Sequence, residues 1–350
     1  MPISSNDLEL ILEHTEDVWR SLRGARVFLT GATGFFGAWL LSGLAHAERR
    51  LGLSLPITIL SRDPGAARAR HGVLLDAVKA EVVAGDARDF AFPTGSFSHV
   101  IHGATAASAA LNANAPLEMF DVIVGGTRRS LELAAASGCS RFLLLSSGAI
   151  YGPQPAGLTH LPESYGGGPP SLDVASAYAE GKRAAELVSL MSARSHGFEL
   201  TVARGFAFVG PYLPLDIHFA IGNFIRDAMA GRPIRILGDG TPYRSYMYGT
   251  DLAIWLWTLL ARGRPGAAYN VGSDDGRPLR EIAERVAAQA GVTVHVAKEP
   301  PPNHTPARYV PAIDLARSEL GLEVRVPLDD AIARTLASAR GPRSWYVAGE

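Results

Sequence analysis

Val27-Phe28-Leu29-Thr30-Gly31-Ala32-Thr33-Gly34-Phe35-Phe36-Gly37 is the stretch on which the fold turns. An apolar, β-branched run enters glycines spaced T-G-x-x-G-x-x-G, and an apolar helical pattern continues over 36–49. That order predicts a buried strand, a tight turn, and a helix whose first residues face the turn. Glycines let the backbone approach a pyrophosphate, and the unpaired N–H groups at a helix start favour an anion. The spacing differs by one residue from G-x-G-x-x-G, and no Lys-Ser/Thr comes after the last glycine, which excludes a nucleoside-triphosphate loop. Gly31, Thr33, Gly34, Phe35, Phe36 and Gly37 are therefore candidate contacts to a dinucleotide.

Working outward, short apolar runs recur at Ile57-Thr58-Ile59-Leu60, Glu81-Val82-Val83-Ala84, Val100-Ile101-His102 and Phe142-Leu143-Leu144-Leu145, with helical patterns such as 122–136 between them. The alternation predicts an α/β fold, a doubly wound parallel sheet with strands buried on both faces. Such sheets bind ligands outside the carboxyl ends of their strands. Ser61-Arg62-Asp63, Asp86-Ala87 and His102-Gly103-Ala104 lie at those ends. Asp63 is available to accept from the ribose 2′-hydroxyl of NAD, and Arg62 to pair with the 2′-phosphate of NADP, so both cofactors stay open. Asp86 could accept from the adenine amino group, and the turn of His102 and Ala104 is small enough to lie against the cofactor.

A length of 350 residues predicts roughly two domains. The chain is 47% hydrophobic and 19% charged, and 33 basic against 34 acidic residues leave a net charge of −1. That balance is globular and gives no drive toward nucleic acid or an anionic membrane. A single cysteine, Cys139, excludes an intrachain disulfide and a cysteine-built zinc site; it reads as a small buried thiol, and no metal is expected. The acidic N-terminal stretch with Asp7, Glu9 and Glu13 lacks the pattern of a secretory signal, and no apolar run nears the roughly 20 residues of a membrane span. A cytoplasmic location is the expectation. Leu8, Ile11, Leu12 and Val18 suggest an amphipathic helix packed on the neighbouring dinucleotide-binding domain.

Past residue 205, proline and glycine punctuate shorter segments, and helices expected over 217–230 and 279–290 are not tied to a βα repeat. The expected organisation is an N-terminal helix over 1–24, a dinucleotide-binding domain over 25–205 plus 247–270, and a smaller mixed α/β lobe from 206–246 plus 271–350. The Pro/Gly-rich stretch 152–170 reads as a long loop, of a length that is usually functional or disordered.

Tyr178-Ala179-Glu180-Gly181-Lys182 puts a phenol and an ammonium at i and i+4 on one helix face. A nearby cation is expected to lower the phenol's pKa and fit it for proton transfer. Ser146-Ser147-Gly148, at the end of the Phe142–Leu145 strand, offers a hydroxyl for a reacting carbinol oxygen. Ser147, Tyr178 and Lys182 are the candidate catalytic residues.

Thr30-Gly31-x-x-Gly34-x-x-Gly37, Asp86, Ser146-Ser147-Gly148-Ala149-Ile150-Tyr151-Gly152, Tyr178-x-x-x-Lys182, residues 204–211, Gly238-Asp239-Gly240 with Arg244, Asp251-Leu252 and Tyr269-Asn270-Val271-Gly272 occur in one order. Over about residues 25–335 the chain resembles the extended short-chain dehydrogenase/reductase family, in its nucleotide-sugar epimerase/dehydratase branch. The resemblance implies a Rossmann-type sheet with a smaller substrate lobe, NAD or NADP as cofactor, a nucleotide-diphosphate sugar as substrate, and a homodimer formed through two helices, one carrying Tyr178. It implies that Ser147 positions the sugar hydroxyl, Tyr178 is the acid/base, and Lys182 holds the nicotinamide ribose and tunes the tyrosine. Asn223, Arg244 and Arg308 are implied to contact the nucleotide diphosphate, where charge-assisted bonds are strongest.

The chain departs from the family pattern at Gly148 and Ala149, where dehydrating and decarboxylating members carry an acid after the catalytic Ser/Thr. Ala207 and Ile123 each stand where an asparagine is usual. The expected function is therefore C4 epimerisation of an NDP-hexose through a 4-keto intermediate. An NADPH-dependent 4-keto-sugar reductase is the alternative, a 4,6-dehydratase or decarboxylase is less favoured, and a non-catalytic dinucleotide-binding regulator least.

Overall fold

The computed structural model describes residues 3–105, 109–215, 220–302 and 304–340. The first strand, β1 (Val27–Thr30), is entirely buried because each of its side chains meets a helix or a neighbouring strand. Around it stand β2 (Ile57–Ser61), β3 (Glu81–Ala84), β4 (His99–His102), β5 (Arg141–Ser147) and β6 (Glu199–Gly205). The later strands are β7 (Phe208–Val209), β8 (Ile234–Ile236), β9 (Tyr243–Arg244), β10 (Met247–Tyr248), β11 (Ala267–Val271), β12 (Arg277–Pro278), β13 (Val294–Val296) and β14 (Arg308–Tyr309).

Seven strands form one sheet in the order β11-β6-β5-β4-β1-β2-β3, and every pairing in it is parallel. The order reverses between β1 and β4, so a crevice opens at their carboxyl ends, beyond Thr30 and His102. The Rossmann-type α/β sheet expected from the sequence is present. One expectation fails: the apolar run predicts β3 buried on both faces, but Glu81 and Ala84 are exposed and Val82 and Val83 half-buried. β3 is the sheet's edge, with a neighbour on one side only. An apolar run cannot tell an edge from a centre.

Helix boundaries obey local chemistry. The helix Phe35–Leu51 stops at Gly52, whose left-handed φ of 60° suits glycine. The helix Pro64–Ala77 starts with proline in its first turn and the Asp63 carboxylate accepting from the Ala66 N–H at 2.8 Å. The N-terminal segment is two helices, Ser5–Glu13 and Glu16–Ser21, rather than one. They pack on Phe35–Leu51 and Gly249–Arg262, with the Trp19 ring 4.7 Å from that of Trp257. Buried Asp7 locks them down, accepting from Arg334 at 2.6 Å and from the Tyr248 hydroxyl at 3.1 Å.

After β6 the chain leaves the main sheet, and the small strands pair among themselves: β7 with β10, β8 with β13, and β9 with both β12 and β14. The helix Gly249–Arg262 and β11 return to the main sheet. The helix expected from residue 217 is described from Ala220 to Met229; its first residues, 217–219, lie outside the described residues, as do 1–2 and 341–350 at the ends of the expected divisions. The isolated thiol of Cys139 is buried, as expected.

Candidate active site

The crevice begins where β1 meets the glycine turn. The Thr30 hydroxyl accepts from the N–H groups of Gly103 at 3.1 Å and Ala104 at 3.0 Å, stitching the ends of β1 and β4 together. Gly31 adopts a left-handed φ of 79°, and a Cβ there would lie 2.7 Å from the Gly103 backbone. A Cβ at Gly37 would fall 2.1 Å from the Ala32 carbonyl oxygen. Both positions therefore exclude any side chain. Gly34 begins the helix Phe35–Leu51 without a side-chain cap, and a Cβ there meets nothing closer than 3.5 Å. The first helical N–H groups thus start from an exposed turn free of side chains, which fits a pyrophosphate.

Phe35 and Phe36 offer that site their backbone only, because their rings pack on Phe208 at 6.4 and 4.9 Å. The His71 ring is buried near the Thr33 backbone, and burial pushes its pKa down to about 4, so it packs beside the turn as a neutral ring. No motif points to His71.

At the end of β2, the Ser61 hydroxyl donates to the Asp63 carbonyl at 3.0 Å, and the Asp63 carboxylate caps the next helix. Arg62 is exposed. Asp86 accepts from the side chain of Arg88 at 2.7 Å, and that contact holds its carboxyl below the ordinary range. Ala87 is buried against the helix Pro116–Ala136, and Ala104 is half-buried. His102 corrects an expectation. Its ring turns inward, with Nδ1 at 2.8 Å from Thr30 Oγ1 and 2.9 Å from Ser130 Oγ, and burial pushes its pKa down to about 3. The imidazole is a neutral structural pin, and only the adjoining Gly103-Ala104 backbone borders the glycine turn.

Ser147 ends β5 and is nearly buried. Its Oγ accepts from the Ala149 N–H at 3.2 Å, which starts a single turn over Gly148–Tyr151. Tyr178 and Lys182 stand one turn apart on the helix Ala177–His196. The Tyr178 backbone N–H donates to Asn112 at 3.0 Å, fixing the start of that helix, and its phenol lies close enough to Ser147 to feel it electrostatically. The Lys182 ammonium, 5% exposed, donates to the Leu145 carbonyl and the Thr105 hydroxyl, both at 2.8 Å. The three predicted catalytic side chains thus converge on the end of β5.

The pKa expected for Tyr178 does not hold in the chain by itself. Burial raises the phenol above its ordinary value, and the contact with Ser147 only partly offsets this. Lys182 is itself pulled down to about 8 by burial, and its ammonium is tied to Leu145 and Thr105. Spacing along a helix reports proximity, but desolvation sets the sign here.

Behind Ser147 lies a polar brace that joins residues of three separate motifs through Glu186, which no motif contains. Ser146 donates to Glu186 at 2.5 Å, Glu186 pairs with Arg204 at 2.7 Å, and Arg204 donates to the Tyr151 hydroxyl at 2.9 Å. Tyr151 in turn donates to buried Asn270 at 2.7 Å.

The predicted diphosphate contacts are spread out. Asn223, on the helix Ala220–Met229, accepts from Arg226 at 3.0 Å. β14 runs parallel to β9 in the register Arg308↔Tyr243 and Tyr309↔Arg244, and paired residues in adjacent strands share a face. Arg244 therefore lies on the face of Tyr309, 5.9 Å from its ring, whereas Arg308 lies on the other, 3.8 Å over Tyr243. Two arginines expected to act together are divided by the strand alternation. Tyr309, which no sequence motif marks, holds its hydroxyl over Gly148, and burial raises its phenol above the ordinary range.

Among the described residues no cluster of His, Cys, Asp and Glu could hold a metal ion, and no helix is long and apolar enough to cross a membrane.

A sequence model of the NAD-dependent epimerase/dehydratase family matches residues 27–272. UDP-glucuronic acid decarboxylase 3 of Arabidopsis thaliana is 27% identical over 308 residues, 88% of this chain and 86% of that enzyme. A UDP-glucose 4-epimerase of Thermus thermophilus, solved with NAD, superposes with a TM-score of 0.72 at 25% identity, covering 90% of this chain and 99% of the other. A dTDP-glucose 4,6-dehydratase of Streptomyces venezuelae, solved with NAD, has the same fold, with a TM-score of 0.77 at 24% identity over 92% of this chain and 98% of the other. With the glycine turn, the hydroxyl at the end of β5 and the Tyr-Lys pair in one crevice, the chain belongs to the NAD-dependent epimerase/dehydratase family.

Proposed function

We propose that the protein is an NDP-hexose 4-epimerase, acting through a 4-keto intermediate with Ser147, Tyr178 and Lys182. The observation that carries this reading is what surrounds Gly148. A methyl group at that position would come within 2.7 Å of the Tyr309 hydroxyl and 2.8 Å of the Phe206 ring, so an aromatic wall stands where a carboxylate would serve dehydration or decarboxylation. The relatives and structural neighbours span all three activities, and this wall supports epimerisation over the other two.

Tyr178 removes the proton of the sugar 4-hydroxyl and later returns it, while the Ser147 hydroxyl hydrogen-bonds the same oxygen. Lys182, held by Leu145 and Thr105, places a positive charge one helical turn from Tyr178, and approach to the nicotinamide ribose is its second role. NAD, bound over the glycine turn, supplies a reversible hydride acceptor. Arg244 and Asn223 reach the substrate's diphosphate from the second lobe, the cleft lying between the two.

The experiment is to incubate the purified protein with UDP- and dTDP-hexoses. Interconversion of C4 epimers with no net change in nicotinamide absorbance is expected. Stoichiometric oxidation of added NADPH by an NDP-4-keto-hexose, with no interconversion of the NDP-hexoses themselves, would instead establish the 4-keto-sugar reductase, a reading favoured by exposed Arg62 beside an Asp63 already engaged as a helix cap.

The homodimer belongs to the same proposal. Leu117 on the helix Pro116–Ala136 and Leu187 and Met191 on Ala177–His196 are 74%, 59% and 52% exposed, an apolar face suited to a second copy. A groove of about 720 Å³ beside Leu187 and Leu190 borders that face and touches none of the three catalytic residues. Sedimentation velocity showing a monomer at micromolar concentration would remove this element.

A further inference from the structure

Two successive turns of the helix Ala177–His196 grip two successive residues at the end of β5. Lys182 donates to the Leu145 carbonyl at 2.8 Å, and Glu186, one turn further on, accepts from the Ser146 hydroxyl at 2.5 Å. The next residue along β5 is Ser147. Ser146 and Arg204 are register partners on β5 and β6, so their side chains leave the same face of the sheet. Arg204 closes on both oxygens of Glu186, from Nη2 at 2.7 Å and from Nε at 3.1 and 3.3 Å. Its Nη1 goes on to the Tyr151 hydroxyl at 2.9 Å and the Glu163 carbonyl at 3.2 Å. The Arg204 and Glu186 side chains are only 15% and 14% exposed. Both line the groove beside Leu187, which holds none of the three catalytic side chains, so the pair stands behind those side chains rather than among them.

We infer that Glu186 is a positioning residue, held in place by Arg204: it sets the register of the catalytic helix on β5, so that Tyr178 and Lys182 stand at the level of Ser147. An ion pair largely removed from water adds little net stability, because desolvation offsets much of its attraction, but its directional bonds fix geometry. The Glu186 carboxylate also favours the charged form of Lys182 against the burial that opposes it. The titratable and charged groups around Lys182 are Tyr178 and Glu186 on its own helix and neutral His102 on β4. Behind Glu186 stand Arg204 on β6, Tyr151 after β5, and Glu163. The catalytic end of this inference rests on the epimerase reading; the action of Glu186 on Lys182 does not.

The test is the double variant Glu186→Leu/Arg204→Met, which removes both charges together and leaves neither unpaired. Its thermal unfolding is expected to stay near that of the wild type, whereas Glu186→Leu alone should unfold at a clearly lower temperature. The chain has three lysines, Lys79, Lys182 and Lys298, so an isotope label on the lysine ε-carbon lets the Lys182 ionisation be followed by NMR, with Lys182→Met assigning the signal. In the double variant that ionisation is expected to move to lower pH. The kcat for epimerisation should fall about tenfold, with KM changed less than about twofold. Should the double variant not fold, Glu186→Gln, which keeps an acceptor for Ser146 and drops the charge, is expected to move the titration the same way. A Lys182 titration unmoved in the folded variant overturns the inference, as does a kcat that recovers together with stability. If the wild-type protein epimerises no NDP-hexose, the epimerase reading falls, and the titration still decides whether Glu186 acts on the catalytic pair.

Discussion

Between Thr30 and Gly37, one unbroken stretch builds the glycine turn, whereas Ser147, Phe206, Arg244 and Tyr309 come together beyond the end of β5 from four separate segments. At the first site the backbone is the chemistry: free N–H groups, a left-handed glycine and a close approach to Gly103. At the second, side chains make the surface, and strand register decides which of them arrive. A backbone site can be written as a short motif because its geometry is local. A side-chain site assembled by tertiary pairing leaves no such trace.

Gly31→Ala attacks the local site with the largest expected effect. The left-handed φ and the 2.7 Å approach to Gly103 together predict a loss of about 2–4 kcal/mol of stability. NAD affinity should fall at least about tenfold, and both are read by thermal unfolding with and without NAD. An Ala variant that binds NAD as the wild type does would break the backbone account.

Lys182 sits on the seam between the two regions, and its burial gives a signed pH dependence. Its folded pKa is lowered to about 8, below the ordinary lysine value of the unfolded chain. Above about pH 8 the unfolded chain therefore holds a proton that the folded one releases, and this group's contribution to stability rises with pH up to the ordinary lysine range. Urea titrations from pH 7.5 to 10 should show that rise in the wild type and its loss in Lys182→Met, a difference on the order of 1–3 kcal/mol. Parallel stability curves for the two proteins would place the ammonium in solvent.

The smallest effect sharpens the sugar end. Arg244 shares a face with Tyr309 and Arg308 does not, so Arg244→Met should raise KM for the NDP-hexose about tenfold and Arg308→Met less than about twofold. Equal effects of the two substitutions would show that both faces of β14 border the substrate.

Much of the site is legible in the sequence. The glycine turn, Ser147, Tyr178 and Lys182 each belong to a short pattern, and the sheet delivers them to one crevice. His102 escapes such a reading because a residue at a strand's end can turn inward or outward, and hydrogen bonds to Thr30 and Ser130 turn it in. For Tyr178 the spacing predicts the wrong direction of pKa, because helical spacing carries no information about desolvation. Asp63 and Asp86 sit where expected, but capping the helix at Pro64–Ala77 and pairing with Arg88 engage carboxylates that look free in the sequence.

By itself, the order of residues determined the parallel α/β sheet, the dinucleotide turn and the Tyr-Lys pair, because each depends on periodicities and spacings within a few turns of chain. Only the tertiary structure decided that β3 is an edge, that Arg244 and Arg308 face opposite ways, and that Tyr309 stands over Gly148. Those outcomes depend on which short strands pair and in what register, and on how much water the pairing removes. A two-residue strand carries too little pattern to foretell either.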